Sequence, residues 1–354
     1  MSTDAVGSAW TYATELRAEL AASGVEVVLA TLGPRPPPDS ESSYLPCRLE
    51  WQQEPWEDVW ASGRGLLALA EETNVDLVHL NGFAHGALPW KVPVVVAAHS
   101  CVLSWHEAVR GAPAGGEWHR YREAVAAGLR GADAVVTPTA AMRGALRRHY
   151  GFDHRCRLIA NGVSPHPAGS DGPTPRTRLV LGAGRLWDEA KGLDALDRAA
   201  AKIAWPVAVA GDAGGHSAGH AHLLGALRRD ELREQMSRAA IFVHPARYEP
   251  FGLVVLEAAL AGCALVLGDI PSLRELWNGD ALFVTPGDAS ALASACDRII
   301  HDDDLRRALA ERARRRAQRH DAAAMAAAYM RLYEQLRDRE RKSVPHDSAF
   351  STTS

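Results

Sequence analysis

Short β-branched, apolar runs alternate along this chain with Ala-, Leu- and Arg-rich stretches of helical composition, a pattern that restricts the fold to parallel sheets joined by crossover helices. The first half carries VEVVLATLG from residue 25, DLVHLNG from 76, VPVVVAAHS from 92, ADAVVTPTA from 132 and CRLIANG from 156. The second carries RLVLGAGR from 178, WPVAVAGD from 205, AAIFVHPA from 239, CALVLGDI from 263 and ALFVTPG from 281. Between them, residues 164–176 read SPHPAGSDGPTPR, the composition of a linker. At 354 residues the chain exceeds the size at which one core keeps growing. The expected class is α/β, with two Rossmann-like doubly wound domains, 1–163 and 177–322, facing a cleft at their strand carboxyl ends. A helix over 323–340 is expected to pack back on the first domain, and the polar segment 341–354 to be disordered.

The formal net charge of -4 argues against a dedicated nucleic-acid binder. The basic run LRRALAERARRRAQRH within 305–337 reads as a solvated helix face. Five scattered cysteines without a C-x2-C pair, and no charged-then-apolar leader, point to the reducing cytoplasm. No apolar run approaches the ~20 residues needed to cross a bilayer, so membrane association has no support in the sequence. The oligomeric state stays open.

The chemistry concentrates in residues 244–276, HPARYEPFGLVVLEAALAGCALVLGDIPSLREL, where Glu249 and Glu257 bracket a Pro250-Phe251-Gly252 turn. The preceding AAIFVHPA is a buried strand, and LVVLEAALA has helix-forming composition up to Gly262, so Glu249 belongs to a loop and Glu257 to a helix. Eight helical positions span roughly 12 Å, too far for a glycosidase acid and nucleophile sharing one carbon. The first-turn amides from Phe251 to Val254 form a polarised donor cluster suited to hydroxyls or phosphate. A sugar nucleotide fits both ends.

On these residues the sequence resembles the family-4 retaining glycosyltransferases, whose E-x7-E signature matches Glu249, Pro250, Phe251, Gly252 and Glu257. The resemblance implies the GT-B fold, with Glu249 on donor-sugar hydroxyls, the Phe251-Gly252-Leu253 amides helping to hold the donor, and Glu257 on the ribose. It extends over nearly the whole chain, through Asn161-Gly162-Val163 at the linker and Pro286-Gly287-Asp288 in a late loop. The family opens with a buried strand before a Gly-Gly turn; here Gly7-Ser8 stands at that turn and the polar start MSTDAVGSAW offers no strand ahead of it. The first strand is therefore expected to be missing, through truncation or a misassigned start.

Arg185 follows the strand RLVLGAG, and Lys191-Gly192 comes six positions later, placing two cations at a strand's carboxyl end. Fixed cations there would stabilise the charge on a departing nucleoside diphosphate, Arg185 gripping two oxygens and Lys191 acting as a compact charge. The resemblance assigns the same pair to the diphosphate, facing the Pro-Phe-Gly corner. Gly182-Ala183-Gly184 fails as a dinucleotide fingerprint because Trp187 takes the third glycine's position. His99 ends the strand VVVAA and faces the cleft, where the family usually has His-Asp and this chain has His99-Ser100. Gly211-Asp212 and Gly225-Ala226-Leu227 match family positions near the diphosphate and the base.

His216, His220 and His222 lie in the glycine-rich GDAGGHSAGHAH, which reads as a flexible loop, and no metal is expected. His79, Asn81, His85, Trp90, Trp105 and Trp118 fall on first-domain strand ends or the following loops; together they would suit an acceptor pocket, although each alone reads as core or surface rather than as a functional residue. Trp10, Trp51, Trp56 and Trp60 read as packing residues.

The expected activity is a retaining, metal-independent transfer of sugar from a nucleoside diphosphate to a small-molecule or glycan acceptor, by front-face substitution and without a cofactor. The competing readings are an epimerase or phosphorylase on the same scaffold, or a noncatalytic sugar-nucleotide binder.

Overall fold

The computed structural model describes residues 1–5, 7–37, 41–164, 176–215 and 217–343. The first sheet comprises β1 (Ser2–Asp4), β2 (Ala30–Gly33), β3 (Ser43–Pro46), β4 (Val78–Leu80), β5 (Val94–Ala97), β6 (Ala134–Thr137) and β7 (Cys156–Leu158). The second comprises β8 (Thr177–Ala183), β9 (Val207–Ala210), β10 (His222–Gly225), β11 (Ala239–His244), β12 (Ala264–Gly268) and β13 (Leu282–Val284). Strand orders are β3-β2-β1-β4-β5-β6-β7 and β10-β9-β8-β11-β12-β13, and all pairings are parallel. This is the GT-B architecture: two doubly wound sheets, each reversing strand order between its first and fourth strands.

Those reversals, at β1/β4 and β8/β11, open crevices beyond the strand carboxyl ends. Gly7 and Asn81 follow the first pair; Gly184 and the Pro245–Glu249 loop follow the second. Helices on both faces explain why the central strands are continuous apolar runs. All six residues of β11 are buried, and hydrophobic side chains cover both of its faces.

The opening strand is present, contrary to the sequence expectation. β1 is polar, yet Ser2 and Thr3 are buried. Its place comes from backbone pairing on both sides: Thr3 pairs with Thr31, Ser2 with Leu80, and Asn81 donates its backbone and side-chain N–H to the Ser2 carbonyl. A three-residue central strand satisfied by two neighbours needs no apolar signature. β3 and β10 were likewise unanticipated; β10 runs through His222, within the stretch expected to be a loop. His216 and the linker residues 165–175 lie outside the described residues.

The helix Ala322–Ser343 lies against the helix Ser8–Ala22 of the first domain. His79, buried beneath, bonds Tyr333 Oη at 2.6 Å through Nδ1 and Tyr12 Oη at 3.3 Å through Nε2. The helix continues to Ser343, three residues into the segment expected to be disordered; the remaining residues lie outside the described chain. In the basic helix Asp303–Ala317, Arg306, Arg307 and Arg315 pair with acids one turn away, as a solvated face requires. Among the described residues no helix is long and apolar enough to cross a membrane.

Candidate active site

The tight turn after β8 is built by glycines whose neighbours leave no room for a side chain. A Cβ on Gly211 (φ +145°) would stand 1.8 Å from the Gly184 carbonyl oxygen, so only glycine lets β9 end against this turn. Gly184 directs Arg185 toward the first domain: a Cβ on Gly7 would lie 3.9 Å from Arg185 Nη1. Gly7 itself has φ +63° and begins the helix Ser8–Ala22. Gly7 and Arg185 thus stand close together where the two domains meet.

The two expected cations stand on one loop and each bonds a carboxylate of the second domain, while both charges act on Asp188. Arg185 Nη2 donates to Asp188 Oδ2 at 2.7 Å, and its guanidinium stacks 4.9 Å from the Trp187 ring centroid. Lys191 Nζ donates to Glu249 Oε2 at 2.9 Å, so the lysine is part of the acidic corner. A buried carboxylate needs a counter-charge more than two cations need each other. Glu249 also meets His244 Nε2 at 3.3 Å, and its Oε1 accepts from the Phe251 amide at 3.4 Å. Burial opposes its ionisation, but the Lys191 charge and the His244 and Lys191 hydrogen bonds outweigh that and hold the carboxyl below its ordinary range.

The helix Leu253–Leu260 starts at Gly252, whose φ of +88° makes the abrupt turn out of the loop. Its first amides, Leu253 among them, lack intrahelical acceptors. Pro250 turns its carbonyl to the first domain, where Thr139 Oγ1 donates at 2.9 Å. The Phe251 ring is buried and edge-on to His320, and the residue's amide is engaged by Glu249 Oε1. Glu257 sits in a cluster that sequence reasoning missed. Its Oε1 accepts from Arg229 Nε at 2.8 Å and from Arg233 Nη2 at 3.1 Å. Arg229 also pairs with the buried Glu15 of the first domain at 2.5 Å. The Arg229/Arg233 spacing of one helical turn was the available signal. Leu227, half-buried, lies in the loop two residues ahead of Arg229.

On the first-domain side, His99 is half-buried and its ring packs 4.3 Å from that of Tyr12. Asn81 Nδ2 donates to Ser2 O at 2.9 Å, which fixes Oδ1 toward His99 Nε2 at 2.8 Å. Nε2 therefore carries the proton and Nδ1 the lone pair. Burial pushes the His99 pKa down to about 4, which keeps the ring neutral near pH 7. Two residues on, the Cys101 amide is capped at 3.1 Å by Tyr248 Oη, from the residue preceding Glu249.

Of the proposed acceptor residues, Asn81 and Trp105 reach the crevice side of the structure. His79 and His85 are buried in the core, His85 against Ser62 and the Val59 carbonyl, and Trp90 Nε1 bonds the His85 carbonyl. Trp118 stacks edge-on against Tyr121. Trp51 and Trp60 are exposed rather than packed, and Arg120 lies between the Trp56 and Trp60 rings. Among the described residues no three His, Cys, Asp or Glu side chains converge as a metal site.

The profile described as Glycosyltransferase Family 4 matches residues 9–166, and Glycosyl transferases group 1 matches 174–316. A phosphatidyl-myo-inositol mannosyltransferase of Mycolicibacterium smegmatis is 33% identical over 180 residues, 46% of this chain and 47% of that protein. The chain thus spans about half the length of this curated relative. Among solved structures, a sucrose-phosphate synthase from Thermosynechococcus elongatus superposes with a TM-score of 0.79 at 23% identity, covering 94% of both chains. Anabaena Alr3699/HepE in complex with UDP-glucose gives a TM-score of 0.71 at 19% identity, covering 91% of this chain and 95% of that one. At such identities these likenesses concern the fold.

Proposed function

The chain belongs to the family 4 glycosyltransferases, and we propose that it moves a glycosyl group from a nucleoside-diphosphate sugar to a small-molecule or glycan acceptor with retention at the anomeric carbon. The observation that carries this reading is the placement of the Lys191–Glu249 pair and Arg185 around one crevice, with Gly7 close to Arg185. The UDP-glucose held by the Anabaena neighbour supports a nucleotide sugar as donor.

In this reading the diphosphate lies beside Arg185 and the Gly7 turn. Lys191 spends one N–H on Glu249 and keeps two for phosphate oxygens. Glu249 accepts from donor-sugar hydroxyls; the Gly252 and Leu253 amides approach the same sugar. Glu257 takes the ribose hydroxyls on the oxygen that does not face the arginines, and the Gly211 and Leu227 loops flank diphosphate and base.

As the bond between the anomeric carbon and the phosphate oxygen breaks, the acceptor oxygen bonds the same carbon on the same face. The acceptor's hydroxyl proton passes to the departing phosphate oxygen. Arg185 and Lys191 stabilise the charge that develops there, so the proposal includes no metal or other cofactor. The neutral His99 accepts a hydrogen bond from an acceptor or sugar hydroxyl at Nδ1. The five buried, unbridged cysteines fit a reducing compartment.

The test is direct. The protein is incubated with UDP-, GDP-, ADP- and TDP-sugars and a panel of hydroxyl acceptors, and the anomeric configuration of the product is read by NMR. A product with the donor's configuration is expected. An inverted product, or turnover that requires inorganic phosphate in place of an acceptor, overturns the proposal.

A further inference from the structure

The helix Val102–Arg110 follows the His99-Ser100 loop of the first domain, yet it rests on the turn of the second domain that carries both cations. Trp105 Nε1 donates to Asp188 Oδ1 at 3.3 Å, and Arg110 Nη1 pairs with Glu189 at 2.7 Å. Asp188 is 8% exposed. Its Oδ1 also accepts from the Ala190 amide at 3.1 Å, while Oδ2 holds Arg185 Nη2 at 2.7 Å. Burial alone would favour its neutral form; the charges of Lys191 and Arg185 and the Arg185 and Trp105 hydrogen bonds reverse this and keep it ionised.

The carboxylate therefore has one side for each domain. One oxygen is shared by the local turn and an indole that only the first domain supplies; the other holds the guanidinium. Arg185 has few other restraints: its side chain is 36% exposed, and Trp187, against which it stacks, is exposed as well. When the domains separate, Asp188 loses the Trp105 donor; its backbone stays bonded to the Arg185 carbonyl at 3.2 Å, but its carboxylate keeps only the Ala190 amide and Arg185 itself as partners.

We propose that Trp105 is a positioning residue for the transfer step: by donating to Asp188 when the domains meet, it fixes Arg185 against the diphosphate, so the charge that assists bond breaking is fully placed only in the closed enzyme. This rests on the glycosyl-transfer reading of the same site. The chemical consequence is protective, since a donor bound to the open enzyme meets a less well-placed Arg185 and is less prone to loss of its sugar to water.

Trp105→Phe keeps the ring and removes the N–H. A hydrogen bond to a buried charged group is worth about a tenfold factor or more. The expected result is a fall of about tenfold in kcat with the donor's KM within about twofold, because the donor binds chiefly to the second domain. Asp188→Asn removes the charge that Trp105 acts on, so adding Trp105→Phe to it should cost less than twofold more.

A fall in kcat that multiplies in full in the Asp188→Asn background overturns the proposal, as does a Trp105→Phe enzyme with unchanged kcat. The Glu189→Gln variant separates general docking from positioning: it breaks the exposed pair with Arg110 on the same interface, leaves the Arg110 guanidinium 5.4 Å from the Trp105 ring centroid, and should leave kcat within about twofold. An equal loss in Glu189→Gln contradicts a specific role for the indole. Failure of the underlying reading is distinguishable, because then the wild type itself shows no acceptor-dependent transfer from any nucleotide sugar.

Discussion

Replacing Lys191 by alanine tests the buried pair at the centre of the site without requiring knowledge of the substrate. Lys191 Nζ and Glu249 Oε2 are 2.9 Å apart, with side chains only 18% and 10% exposed. At an effective dielectric constant of about 20, that separation corresponds to an attraction of roughly 6 kcal/mol, which the cost of removing both charges from water offsets in part. Breaking such a pair from one side costs about 3–5 kcal/mol, because the other charge stays buried and uncompensated. The deficit must depend on pH. In the wild type the Glu249 carboxyl is held below its ordinary range, so its contribution is present above the unfolded carboxylate pKa and is lost as pH falls through the folded value. In Lys191→Ala the largest effect opposing burial is gone and His244 alone remains beside the carboxylate, so the folded pKa rises and protonation in mild acid relieves the strain. Urea unfolding followed by tryptophan fluorescence should therefore show the full deficit at pH 7.5 and about half of it or less at pH 4.5. Lys191→Met combined with Glu249→Gln should unfold at higher urea than Lys191→Ala alone, since no buried charge is left. A deficit equal at both pH values, or a double variant no more stable than the single one, would refute the electrostatic account of this corner.

Further expectations follow from the same geometry. A cognate nucleotide sugar at a hundredfold excess over its Kd should stabilise the fold by about 2.7 kcal/mol in a thermal-shift assay, and Glu257→Gln should remove most of that shift. Gly211→Ala should destabilise by about 3 kcal/mol or more in chemical denaturation, because its Cβ would press the Gly184 carbonyl; a neutral result would contradict the close approach. Burial lowers the pKa of His79 to about 3 and that of His99 to about 4. The unfolded chain takes up these protons first, so stability should fall as pH drops below about 6.5, and NMR titration should find both rings neutral at pH 6. Glu15→Gln removes the partly shared counter-charge of Arg229 and should destabilise the closed arrangement by about 2–4 kcal/mol, visible as earlier protease cleavage between the domains.

What could be read in the sequence and what could not divide along a physical line. The apolar strands β9, β11 and β12 and the buried half of β8 announced themselves because a strand covered on both faces must be hydrophobic, and the turn at Gly252 because its backbone adopts a conformation that favours glycine. Glu249 and Glu257 were legible through their spacing around that turn. β1, β3 and β10 were not, since their positions derive from ladder partners rather than from their own side chains: Ser2 and Thr3 are held from both sides, and β10 pairs only with β9 at the sheet edge. The same distinction governs the site. Arg185 and Lys191 could be placed on one loop from local order, but the choice of counter-ions is long-range. Lys191 joins Glu249 from 58 residues away, Arg229 joins Glu257 from 28, and Trp105 reaches Asp188 across the crevice from 83. Local sequence fixes which groups a crevice of this kind contains, whereas the folding of the second domain and its contact with the first decide which of them are already paired and which are left to meet a ligand.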